Sequence, residues 1–95
     1  MVVHIVMFRF KEGRKEEAPA LRAALESLPG LIEEIEFYEV GINEVESARS
    51  FDMSLYSKFA SYEAMQRYQA HAAHQAVLKQ LLDASETIHA VDYTI

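Results

Sequence analysis

Residues 2–10 carry apolar side chains on both sides of one extended segment. Val3, Ile5 and Met7 fall on one face of a strand, and His4, Val6, Phe8 and Phe10 fall on the other. A strand of this kind suits the centre of a sheet that is covered on both sides. Lys11-Glu12-Gly13 ends it. Every later element must therefore help to cover one face or the other.

The spacing predicts a helix over residues 15–28, with Ala18, Leu21, Ala24 or Leu25, and Leu28 on one stripe. Glu16 and Glu17 suit the helix dipole, and Pro19 is tolerated because it lies near the start. Pro29-Gly30 stops the helix. A second strand is expected over residues 34–42, around Ile35, Phe37, Tyr38 and Val40. Asn43 to Ser50 then reads as a polar hairpin connection. Residues 51–59 alternate Phe51, Met53, Leu55 and Phe59 with Asp52, Ser54, Tyr56 and Lys58, the period of a third strand. Ser61 is a fitting N-cap for a short helix with Ala64, Met65 and Tyr68 on its apolar side. A second helical run covers about 72–84, and residues 87–95 alternate as a fourth strand.

This order, βαββαβ, is the ferredoxin-like split βαβ arrangement. It implies an α+β fold whose four-stranded antiparallel sheet carries helices on one face. With the even-numbered face of the first strand under the helices, Val3, Ile5 and Met7 point from the open side. Such a patch is rarely left bare in a monomer, and a second copy related by two-fold symmetry would cover it. The matching face of the third strand is more polar, so the interface is expected to be mixed. A homodimer is the expectation.

Ninety-five residues fit one domain, 1–95. The chain has no cysteine, which excludes disulfides, thiolate metal sites and cysteine nucleophiles. Its net charge of −6 opposes nucleic acid and anionic lipid as partners. The apolar N-terminus is too short to span a membrane and lacks the features of a signal peptide, so a cytoplasmic location is expected.

Candidate chemistry concentrates in Tyr68-Gln69-Ala70-His71-Ala72-Ala73-His74. On a continuous helix Tyr68, His71 and His74 would project from neighbouring positions. His4 lies at the start of the strand face assigned to the helices, so all four can meet at one end of the sheet. Imidazoles and a phenol there would trade protons near neutral pH. The plainer readings are a helix cap for the His-x-x-His pair, a core-edge histidine for His4 and a core-filling ring for Tyr68. No third or fourth ligand completes a metal site, and His89 reads as structural. Glycine-rich phosphate loops, nucleophile elbows and His-Glu-x-x-His are absent from the sequence.

These segments resemble the stress-responsive A/B barrel (Dabb) family. The likeness runs through His4-Ile5-Val6-Met7-Phe8-Arg9-Phe10-Lys11, Leu28-Pro29-Gly30, Val40-Gly41-Ile42-Asn43, Phe51-Asp52 leading to Phe59, and Val91-Asp92-Tyr93. Its strongest part is Tyr68 to His74, similar to the family's Tyr-x-x-His-Pro-x-His. The resemblance implies a homodimer whose two sheets pack into a dimeric α/β barrel. A plant polyketide cyclase of the family performs an aldol condensation with a tyrosine and a histidine. Those roles map onto Tyr68 and His74, with His4, Met53 and His71 as pocket residues. Two positions depart from the pattern: Ala72 stands where the family has proline, and Met53 where the cyclase has histidine.

The leading expectation is a homodimer with a pocket between sheet and helices for a small apolar or aromatic molecule. A second reading is a cofactor-free enzyme in which His74 takes a proton from a carbon acid and Tyr68 holds the oxyanion. The related monooxygenases supply a third, and a purely structural dimer a fourth.

Overall fold

The computed structural model describes residues 1–95. Its elements run β1 (Val2–Phe10), α1 (Ala18–Glu26), β2 (Phe37–Ile42), β3 (Met53–Phe59), α2 (Tyr62–Ala70), α3 (Ala72–Ala84) and β4 (Ser85–Thr94). The sheet order is β2-β3-β1-β4 and every neighbouring pair is antiparallel. This is the ferredoxin-like α+β arrangement read from the sequence. β1 lies at the centre, as its two-sided apolarity requires.

The element boundaries differ from expectation where local chemistry intervenes. The first helical run opens with a 3-10 turn at Lys15–Glu17, because Pro19 near the helix start supplies no backbone N–H. A second 3-10 turn, Leu28–Gly30, follows α1 and buries Leu28. β2 begins at Phe37 rather than residue 34, since the preceding stretch turns to bury Ile32 against the core. Ser61 caps α2 as expected: its Oγ accepts the Ala64 N–H at 3.1 Å.

The core lies between the sheet and the helices. Val6, Phe8 and Phe10 from β1 join Leu55 and Phe59 from β3, Leu21 and Leu25 from α1, and Val77 and Leu81 from α3. The open face behaves differently. Val3 is fully shielded there, flanked in register by Lys58 and Tyr93, so it adds nothing to an exposed patch. Met7 stays 40 % exposed, and Phe37, Val91 and Tyr93 extend the apolar area. Lys58 Nζ lies 5.4 Å from the Phe37 ring centre and 5.7 Å from that of Tyr56, which makes this face mixed. No helix is long and apolar enough to cross a membrane.

Candidate functional site

The site begins with a break in a helix. His71 takes an extended conformation, φ −63° and ψ 137°, and so separates α2 from α3. A continuous helix through Tyr68, His71 and His74 therefore does not form. His71 becomes the N-cap of α3, its Nδ1 accepting the Ala73 N–H at 3.0 Å. Alanine in place of proline at residue 72 does not prevent α3 from starting there.

The break also leaves carbonyls of the last turn of α2 without helical partners. Gln69 O is one of them, and two side chains from the first turn of α3 use it. His74 Nδ1 lies 3.1 Å away and Gln75 Nε2 lies 2.6 Å away. A carbonyl can only accept, so the proton of His74 sits on Nδ1 and the lone pair of the neutral ring on Nε2. Burial lowers the pKa of His74. The Gln69 hydrogen bond opposes this shift, and the charge of nearby His4 adds to it.

His4 is held from the opposite side. Its Nδ1 hydrogen-bonds the carboxylate of Asp92, its register partner on β4. The ring packs edge-on to Phe59 at 6.4 Å, and the backbone carbonyl of His4 accepts from buried Ser57 Oγ at 2.9 Å. An Asp92 carboxylate behind Nδ1 leaves Nε2 as the uncommitted nitrogen here too.

Tyr68 has no exposed surface. Its ring packs 4.4 Å from His74 and 4.7 Å from Phe59, and its hydroxyl lies 2.7 Å from that of Tyr38. Burial pushes the Tyr68 phenol up to about 12, although the bond from Tyr38 pulls the other way. Tyr38 is pushed up further, first by burial and then by the charge Tyr68 would carry. Both phenols stay protonated at neutral pH.

His4, Tyr68 and His74 line one cavity of about 230 Å³ between the sheet and α3. Val6, Phe8, Leu55, Leu78 and Ile88 supply apolar walls, and Gln69 and Gln75 complete its polar end. Met53 and His71 do not line it. Met53 is buried in the core and borders a separate, more open hollow with Met7, Ile42 and Phe51. His71 is spent on capping. Asp92 and Tyr38, by contrast, carry no functional signal in the sequence. The shared register of residues 4 and 92 is the signal that would have paired Asp92 with His4. His89 lies exposed on the other face, 5.3 Å from the Phe51 ring.

Fold and site together define a ferredoxin-like α+β protein with an imidazole-lined cavity inside the protomer. Residues 2–95 match the Stress responsive A/B Barrel Domain (Dabb) family, and the chain belongs to that family. A curated relative, an uncharacterized protein of Streptomyces coelicolor, is 32 % identical over 79 residues, covering 80 % of this chain and 81 % of its own. The structure is similar to a dimeric protein of unknown function from Bacteroides fragilis with a ferredoxin-like fold. The TM-score is 0.88 at 30 % identity, over 99 % of this chain and 95 % of that one. It is similar in fold to the hydroxynitrile lyase of Passiflora edulis, with TM-score 0.86, 21 % identity, and coverage of 99 % and 92 %.

Proposed function

We propose that this chain is a homodimeric small-molecule-binding protein, each protomer holding a compact, largely apolar ligand in the cavity beside His4 and His74. One observation carries the reading: an apolar cavity has two imidazoles at its polar end. Ligand sites are commonly built this way, with few polar groups set in apolar walls. The volume lies below the roughly 300–1,000 Å³ of drug-sized pockets, so the ligand is small. The dimer is supported by the apolar open face and by the dimeric Bacteroides fragilis relative.

Native mass spectrometry of the protein purified from its own host tests both parts at once. The expected result is twice the chain mass plus a small retained ligand, lost in Leu78→Trp, which fills the cavity. A bare single chain at micromolar concentration would count against both.

A second reading, a cofactor-free acid–base enzyme, is favoured by the state of His74. A neutral ring with Nδ1 pinned and Nε2 free is a general base. If Tyr38 donates within the phenol pair, the Tyr68 proton is left for an oxyanion. A lyase among its structural neighbours makes carbonyl chemistry a sensible first assay. The assay is exchange of the α-protons of acetophenone in deuterated water, followed by NMR. Catalysed exchange that disappears in both His74→Ala and Tyr68→Phe supports the enzyme. Exchange at the buffer rate leaves the binding protein alone.

A further inference from the structure

Both imidazoles at the cavity have the same nitrogen committed. His74 Nδ1 is engaged with the Gln69 carbonyl and His4 Nδ1 with the Asp92 carboxylate. Neither Nε2 has a hydrogen-bond partner in the protein. The one buried side-chain polar atom without a partner is Ser85 Oγ, so both Nε2 atoms reach open space. In their neutral forms the two rings therefore present two hydrogen-bond acceptors. Both rings line the same small cavity, which places them within reach of one small ligand.

The remaining lining groups do not change this balance. No lysine or arginine lines the cavity, and Asp92 adds negative charge behind His4. A bound carboxylate or phosphate would lose its water without gaining a fixed cation. The Tyr68 hydroxyl is engaged with Tyr38. Gln69 and Gln75 sit toward solvent, and an amide serves equally as donor or acceptor.

The geometry points to a neutral ligand that carries two O–H or N–H donors on a compact apolar frame, one donor for each Nε2. A dihydroxyarene or an enediol fits; an ether or a carboxylate does not. This specification rests on the cavity being a ligand site, as proposed above.

A methylation ladder tests it. Catechol, guaiacol and veratrole keep one ring while offering two, one and no donors. Resorcinol and its two methyl ethers repeat the series at a wider spacing. Titration calorimetry on the full chain, at about pH 8 and under nitrogen, supplies the affinities. In at least one series, affinity should fall roughly tenfold at each methylation. Benzoate should bind at least about tenfold more weakly than the best diphenol. In His74→Phe, which keeps the ring and removes the acceptor, the first methylation should cost nothing.

In the unsubstituted protein, side-chain 15N shifts of both Nε2 atoms should move with the diphenol, a readout that requires no variant. Equal affinity along both ladders would overturn the two-acceptor assignment and leave the cavity as a ligand site. Benzoate binding more tightly would overturn it by showing the imidazoles acting as cations. Binding of none of the probes, with retained host ligand still seen by mass spectrometry, would overturn the ligand class alone. No binding and no retained ligand would overturn the site as well.

Discussion

The two faces of β1 start from nearly the same sequence pattern and end in different situations. On one side Phe8 and Phe10 are 2 % exposed beneath the helices. On the other side Met7, one residue away, is 40 % exposed, with Val91 and Tyr93 from β4 also open to water. Alternating hydrophobicity records that both faces want cover but not what provides it. The helices of the same chain satisfy one face and leave a cavity under α3. The other face is complete only with something added. On the proposed reading, the first face carries the ligand site and the second the assembly.

The largest expected effect separates the faces directly. Phe10→Ala removes a buried ring from the core and should cost about 3–5 kcal/mol in urea unfolding. Met7→Ala at its observed exposure should cost well under about 1 kcal/mol if the open face meets water. A Met7→Ala cost approaching that of Phe10→Ala would mean a second copy buries the open face as thoroughly as the helices bury the other. Dilution then sharpens the result, because the stability of an obligate dimer depends on protein concentration.

A charge on the open face comes next. Val91→Glu places a carboxylate on the open face beside Ile5 without touching the core. Sedimentation equilibrium at micromolar concentration should show the mass of two chains for the unsubstituted protein and of one chain for the variant. An unchanged mass in both would move the interface elsewhere on the surface, away from β1.

Much of this layout is legible along the chain because the deciding interactions are local. The period of two in residues 2–10 and the Ser61 cap depend on near neighbours, and the structure has both the strand and the cap. The candidate site depends on distant ones. Asp92 meets His4 across 88 positions of sequence, and Tyr38 meets Tyr68 across 30. No spacing rule predicts such pairs until strand order and register are known. His71 and His74 show the reverse problem. Three apart, they look like one pair, but an extended residue at 71 turns the first into a backbone cap and the second toward the cavity. Met53 carries a position inherited from the resemblance, and core packing decides its fate instead.

The phenol pair provides a test on the covered face that the open face cannot match. Tyr38→Phe leaves the Tyr68 hydroxyl buried without its partner, at a cost of about 1–3 kcal/mol. Removing both hydroxyls in Tyr38→Phe with Tyr68→Phe should cost no more than the single change, because nothing polar is then stranded. Additive losses would show that the hydroxyls act independently, each with some other partner.

The smallest effect concerns pH. Burial favours neutral His74, so the folded chain takes up that proton at lower pH than the unfolded chain does. More protons bound to the unfolded state mean that stability rises with pH. The contribution of His74 is therefore complete above the ordinary imidazole value of 6.5, and it is lost as pH falls through that value toward the lowered folded one. His74→Phe has no such proton to gain. Its urea midpoint should consequently fall less than that of the unsubstituted protein between about pH 7.5 and pH 5.5. Equal falls would mean that the imidazole is no better shielded in the fold than in the open chain. The free Nε2 would then face water rather than a cavity, and the covered face would lose its claim to the chemistry.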